Sequence, residues 1–391
     1  MVVSAMAAFR LRLAAVACLA LALYLAGNGA TSLWDRDEPR FAEAAREMVV
    51  RGDYVVPRFH RQVRYDKPPL VYWLMAACYR ATGPTAFGAR LPSALAGALA
   101  VALTGLAGRY LVGEAAALWG ALALALALQL GVEAKVATAD ATLLATIAAG
   151  QLALVRSWRG AGGWANGLLG WGAVALGILA KGPVAPAVVG GTALGLKLAG
   201  GRRWPWPWPR LAAGLALLLA LTLPWAVAVQ RATGGEFLRV ALGHHVVERA
   251  ARALEGHRGP WWYYLAALPV SFFPWSFLGY GAAARLLRHG REPEARLLLL
   301  WLALPFLLFS LAATKLPHYV LPAYPALALA LGAAVAQAAR PRWWGAASVA
   351  SGLLGLALGI GLAVGAGRAL PAGFPAPVGV EALLLCATGC A

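Results

Sequence analysis

Acidic residues are scarce in this chain. It has 16 Asp and Glu against 34 Lys and Arg, and charged residues make up only 13% of its 391 positions while hydrophobic ones reach 61%. An ordinary soluble domain carries about a quarter charged residues, so this composition excludes one and indicates a polytopic membrane protein. Cysteine is scarce too. Cys18, Cys78, Cys386 and Cys390 contain no CxxC pair, which argues against a disulfide framework or a zinc site. No Gly-rich nucleotide loop and no inverted repeat is evident. Stretches such as ALALALALQL (121–130) lack the apolar/polar alternation of a membrane β-barrel. Only helices satisfy every backbone group within so apolar a segment, so the fold is read as all-α.

What is present is a series of apolar runs, each close to the ~20 residues needed to cross a bilayer. Spans are expected near 12–31, 90–111, 115–133, 140–156, 164–180, 183–200, 211–229, 262–282, 297–313, 318–338 and 344–366. The domain reading is one transmembrane catalytic unit over 1–370, then a tail, 371–391, that begins a further span or ends. No soluble C-terminal domain is expected. The first run is read as an uncleaved span, with a signal peptide cut near AGNGA (26–30) as its rival. In a soluble protein the net charge of +18 would suggest nucleic acid. Here the arginines punctuate apolar spans, so membrane lipids are the expected partners and nucleic acid is not.

With the N-terminus in the cytoplasm, short basic turns fall inside and mixed-charge loops fall outside. The positive-inside count alone does not decide the orientation, because the outer loops also hold arginines. The longest outer loop, 32–89, opens with LWDRDEPR (33–40). After Pro39, apolar Phe41, Ala44, Ala45 and Met48 recur at helical spacing, with Arg40, Glu43, Glu47 and Arg51 opposite them. That predicts an amphipathic helix lying on the membrane surface, ended by Gly52 and Asp53. A second surface helix is expected over 68–83, too short to cross comfortably and holding Arg80.

The residues that suggest chemistry gather in the outer loops. Asp37 and Glu38 begin the surface helix. One carboxylate suffices for a helix cap, and three within LWDRDEPR exceed that need. Lys67 stands before two prolines in YDKPPLVYW, on a stiff stem suited to meeting a phosphate, although a lysine there is as often an interfacial anchor. Asp140 lies at a helix start in KVATAD and reads equally as a cap. Lys181 ends an apolar run in LAKGP and reads equally as part of a turn. The loop 235–264 holds His244, His245, Arg249 and His257, without standard zinc spacing. Asp37, His244 and His245 are nevertheless the candidates for a divalent cation. Lys315, His318 and Tyr319 sit together in TKLPHYVLPAYP. That these groups share one side is what the bland readings do not predict. Carboxylates beside several cations suit group transfer from a membrane-bound phosphate donor.

In order, WDRDEPRFAEAAREM, YDKPPLVYWL, ARLPSALAG (89–97), ATAD, LAKGP, HHVVERA, EGHRGPWWYYL, FPW (273–275) and KLPHYVLPAYPALALALG resemble the bacterial polyprenyl-phosphate-dependent glycosyltransferases of the GT-C superfamily. These include lipid A aminoarabinose transferases and are related to protein O-mannosyltransferases. The resemblance runs from about Trp34 to Gly332. It implies a GT-C-type bundle of about 11–12 transmembrane helices with amphipathic surface helices in its first outer loop. It implies an inverting transfer from a polyprenyl-phosphate sugar to a lipid, glycan or protein acceptor. Asp37 matches the catalytic carboxylate, with Glu38 beside it, and Asp140 matches a second outer-loop acid. Arg40, Lys67, Arg249 and Tyr319 match positions at the lipid phosphate, and Lys181 and Lys315 match family lysines that the resemblance places with them in the lipid-phosphate and donor-binding set. His245 and Ala250 depart from the aminoarabinose transferases, so the implied donor is a class rather than one sugar. A transporter or lipid flippase is the competing reading. It would place ionisable groups at mid-membrane in broken helices.

Overall fold

The structure, a computed structural model, describes residues 2–33, 37–199, 207–242, 259–337 and 341–369. The chain is built from helices. They are α1 (Val2–Leu25), α2 (Asp37–Arg51), α3 (Leu70–Thr82), α4 (Ala86–Leu111), α5 (Glu114–Leu126), α6 (Leu128–Glu133), α7 (Asp140–Trp158) and α8 (Trp164–Lys181). Then come α9 (Val184–Leu198), α10 (Trp208–Ala232), α11 (Glu236–Leu242), α12 (Tyr263–Ser271), α13 (Ser276–Arg288) and α14 (Pro293–Leu311). A 3-10 segment, Pro317–Ala323, leads into α15 (Tyr324–Val335), and α16 spans Trp344–Ala369. A two-residue antiparallel pair, β1 (Arg58–Phe59) and β2 (Gln62–Val63), is the one sheet among the described residues.

Each expected span contains helix among the described residues, the first ending at Leu25 and continuing as turn. Among the described residues, five pieces are long and apolar enough to cross a membrane on their own: Met6–Leu25, Ala86–Leu111, Trp208–Ala232, Pro293–Leu311 and Pro317–Val335. Three expected spans are interrupted. One is α5 followed by α6, another is α12 followed by α13, and the third is the 3-10 segment followed by α15. The break before α13 falls at Phe273–Pro274, where proline supplies no N–H to the helix ladder.

The core forms where small residues let helices approach. A Cβ on Gly332 of α15 would lie 2.1 Å from the Ala116 carbonyl of α5, so only glycine permits that crossing. The same hydrophobic core holds Leu124, Leu130, Leu144, Ile147, Trp301 and Tyr324, all fully buried. By contrast, α10 turns Leu215, Leu219, Leu221, Leu223 and Val227 outward, as a lipid-facing helix does.

The first long loop differs from expectation in its packing. Both surface helices form, but the apolar face of α2 does not simply rest on a membrane. Phe41, Ala44, Ala45 and Met48 pack against Val71, Tyr72, Met75 and Tyr79 of α3, with the Phe41 and Tyr72 rings stacked at 5.5 Å. The polar face is also corrected. Glu47 is buried, accepts from the Arg61 backbone N–H at 3.0 Å, and accepts from Arg51 at 3.2 Å.

Candidate active site

The site collects where α2, the segment after β2, the start of α7, the end of α8 and the 3-10 segment meet. Asp140 is the first residue of α7. Its carboxylate does not cap the helix; it turns inward and accepts from Lys181 Nζ at 2.5 Å. Lys181 is the last residue of α8. Gly182 follows with φ 68°, a conformation that glycine adopts freely and that turns the chain sharply into α9. The two partners come from consecutive helices that pack as a hairpin closed by residues 159–163, so the start of α7 lies beside the end of α8. Lys181 Nζ also lies 5.1 Å from the Tyr319 ring centroid, a cation–π contact that aligns the ammonium with the aromatic face.

The segment between β2 and α3 supplies a second charged group. Asp66 accepts from Lys67 Nζ at 2.8 Å and from Arg64 Nη2 at 3.0 Å. Arg64 Nε donates to the Tyr72 hydroxyl at 2.9 Å, and its guanidinium lies 5.0 Å from the Phe41 ring. Burial works against the Arg64 charge, but Tyr72, Asp66 and Asp37 outweigh it and hold its pKa above the ordinary value. Burial pushes the Tyr72 phenol up, against the pull of Arg64, so it stays a neutral donor and acceptor.

Asp37 is half-exposed at the head of α2, 3.7 Å from Arg40 Nη1. It lies within electrostatic reach of Arg64 and of His318. Lys67 is within reach of both Asp140 and His318. Asp37, Lys67, Asp140, Lys181 and Tyr319 therefore belong to one cluster at one end of the bundle.

Two expected residues have other employment. Glu38, expected beside Asp37 as a catalytic acid, is 1% exposed and bound bidentately by Arg90, with both N···O distances 2.8 Å. It also accepts from the Ala137 backbone N–H at 2.7 Å. A carboxylate so held fastens α2 to α4 and to the loop before α7; it is not placed to take a proton from an acceptor. Lys315, expected at the lipid phosphate, is 5% exposed and donates to the Phe309, Ser310 and Ala312 carbonyls at the end of α14. Those three bonds use all the donors an ammonium has. The Lys315 side chain satisfies the last carbonyls of α14. Arg249, His244 and His245 lie outside the described residues. Among the described residues, no three His, Cys, Asp or Glu side chains gather as a metal-binding set.

Sequence reasoning missed Arg64, Asp66 and Glu133, and named His318 beside Lys315 and Tyr319 without giving it a role. Glu133 ends α6, buried, and accepts from Gln129 at 2.9 Å and Thr138 at 3.3 Å, while His318 Nδ1 stands 3.7 Å from its carboxylate. His318 is adjacent to Tyr319, and Arg64 and Asp66 nearly adjoin Lys67. Proximity in sequence to flagged residues was the available signal.

Comparisons with known proteins bear on the helical bundle as a whole. Residues 66–227 match the family described as dolichyl-phosphate-mannose-protein mannosyltransferase. The undecaprenyl phosphate-alpha-4-amino-4-deoxy-L-arabinose arabinosyl transferase of Pseudomonas paraeruginosa is 34% identical over 324 residues, 81% of this chain and 58% of that protein. A second such enzyme, from Pseudomonas fluorescens, is 33% identical over 347 residues, 87% of this chain and 62% of that protein. The chain thus spans less than two thirds of the length of either relative. The crystal structure of ArnT from Cupriavidus metallidurans bound to undecaprenyl phosphate superposes with a TM-score of 0.80 at 26% identity, over 96% of this chain and 69% of that one. The archaeal oligosaccharyltransferase AglB from Archaeoglobus fulgidus shares the fold, with a TM-score of 0.55 at 13% identity, over 97% of this chain and 54% of that one.

The fold is that of the GT-C helical membrane proteins. Among them, the likeness is to the polyprenyl-phosphate-dependent branch that holds the aminoarabinose transferases.

Proposed function

We propose that the protein is an inverting membrane glycosyltransferase. It moves a pentosyl or hexosyl group from a polyprenyl-phosphate-linked donor to a hydroxyl or phosphate-bearing acceptor, such as lipid A. Residues up to 370 form the catalytic unit. The active site faces the non-cytoplasmic side, and the N-terminus is cytoplasmic. The observation that carries this reading is the convergence of Asp37 with Lys67, Asp140, Lys181 and Tyr319 at one end of the bundle. The names of the relatives supply the donor class.

In the transfer, Asp37 takes the proton of the acceptor hydroxyl. The acceptor oxygen bonds to the anomeric carbon on the face opposite the phosphate, and the bond from that carbon to the phosphate oxygen breaks. The polyprenyl phosphate leaves with an added negative charge. Lys67 stabilises it, with Arg64 beside Lys67 through Asp66, and Tyr319 and Arg249 complete the phosphate site. Asp140 holds the Lys181 ammonium against Tyr319, which fixes that side of the pocket. The flippase alternative loses support because the ionisable groups stand at helix ends, with Asp140 opening α7 and Lys181 closing α8.

The test uses the full chain, purified and reconstituted with a defined polyprenyl-phosphate sugar and an acceptor-lipid extract. Asp37→Asn is expected to lower release of polyprenyl phosphate by about 10²–10⁴-fold, the range of a general base, with donor binding retained. Turnover at the wild-type rate in Asp37→Asn would remove the base assignment.

A further inference from the structure

At the other end of the bundle lies a cavity of about 340 Å³ that the transfer chemistry does not use. It opens between the ends of α4, α13 and α15 and the starts of α5 and α14. Its mouth is polar, with Arg285, His289, Glu292, Glu294 and Gln337. Its floor is apolar. Ala330 lies about two helical turns below Gln337, and Leu298 sits a similar distance below Glu292, at 1.5 Å of rise per residue.

The charges at the mouth are not equivalent. Glu294 is neutralised by Arg159 at 2.9 Å. Glu292 makes no ion pair among the described residues, and neither does Arg285. Arg285 is nonetheless held in place. With the Gln337 amide presenting its oxygen, Arg285 Nε and Nη2 donate to it at 3.1 and 2.5 Å. His289 Nδ1 lies 2.9 Å from the Arg285 backbone carbonyl, which keeps the imidazole at the rim. An oriented guanidinium and an unpaired carboxylate therefore face one amphipathic cavity at the polar end of a membrane bundle.

We infer that this cavity binds the headgroup of a zwitterionic phospholipid, with its phosphate at Arg285, its ammonium at Glu292, and its glycerol end and first methylenes on the apolar floor. An arginine fork matches phosphate oxygens. A carboxylate at the same mouth disfavours a purely anionic headgroup and favours an amine-bearing one. A free phosphate shares the Arg285 chemistry but has no use for Glu292 or for a floor of leucine and alanine.

The experiment is native mass spectrometry of the full chain, delipidated in detergent and titrated with dioleoyl phosphatidylethanolamine or dioleoyl phosphatidylglycerol. A parallel arm measures the change in Tm on adding inorganic phosphate. Wild type is expected to retain phosphatidylethanolamine in preference to phosphatidylglycerol. Arg285→Ala should weaken that retention about tenfold, the scale of one charge-assisted contact. Glu292→Gln, at an exposed position, should abolish the preference while leaving phosphatidylglycerol bound. Arg288→Ala, on the exposed face of the same helix, should change neither. If Arg285→Ala does not fold, the loss of headgroup preference in Glu292→Gln carries the test alone. Equal retention of both lipids by wild type overturns the inference. So does inorganic phosphate stabilising wild type in an Arg285-dependent way while neither lipid is retained.

Discussion

Glu38 and Arg90 meet through two 2.8 Å hydrogen bonds, 52 residues apart in sequence and both almost wholly withdrawn from solvent. Arg90 reaches further, donating to the Asn28 carbonyl at 2.8 Å and the Ser32 carbonyl at 2.9 Å. One guanidinium thus joins the end of the first span, the head of α2 and the start of α4. Removing one partner leaves a buried charge unpaired, which costs about 3–5 kcal/mol. Glu38→Ala and Arg90→Leu are each expected to lower Tm in detergent sharply, and the double variant Glu38→Leu/Arg90→Leu to lower it less than the sum. A Glu38→Ala protein with unchanged Tm would show that this pair does not hold the loop.

Asp140 and Lys181 are expected to act as a unit. Asp140→Asn and Lys181→Met should each reduce transfer, and the double variant should fall little below either single. The coupling expected for side chains in direct contact is about 0.5–3 kcal/mol, read from kcat/KM in a double-mutant cycle. Additive losses would separate the two residues.

Two lysines that look alike in the sequence should behave differently. Lys315→Met deprives the last carbonyls of α14 of their donor and is expected to cost about 1–3 kcal/mol of stability, the penalty for unsatisfied buried groups, with donor KM unchanged. Lys67→Ala is expected to raise donor KM while leaving Tm close to wild type. Thermal unfolding paired with donor titration separates the outcomes. The assignment fails if Lys315→Met weakens donor binding at constant Tm.

The hydroxyl of Tyr65 donates to Glu236 at 2.8 Å and links the first outer loop to α11. The hydrogen bond to Glu236 holds the phenol pKa above its ordinary value. The link is therefore intact below the unfolded tyrosine pKa of about 10 and is lost as pH rises through the higher folded value. Limited proteolysis near the 230–236 turn is expected to accelerate at strongly alkaline pH. Tyr65→Phe should cleave quickly at every pH and so lose that dependence.

Much of the helical scaffold was legible because apolar runs and surface-helix periodicity are local. Phe41, Ala44, Ala45 and Met48 announce α2, and the Gly182–Pro183 pair announces the end of α8. What was not legible depends on partners far along the chain. Nothing near Glu38 says that Arg90 will claim it, and nothing near Lys315 says that three carbonyls of the preceding helix will. The outward reading of Glu47 failed for the same reason. A helical wheel divides polar from apolar, but it does not know that a hairpin tip will offer the Arg61 N–H to that face. Asp140 and Lys181 stand apart in the sequence, and only the packing of α7 against α8 shows them to be one pair.

That hairpin tip also bears on what substitutions the chain tolerates. His60 and Arg61 form the two-residue connection between β1 and β2, and both hold positive φ, 52° and 68°, without glycine. Asparagine and glycine fit such a turn with less strain, while valine and isoleucine are disfavoured there. The positions flanking the turn, in the short strands, carry the opposite preference. In a saturation library this stretch would therefore show an inverted tolerance profile over two adjacent codons.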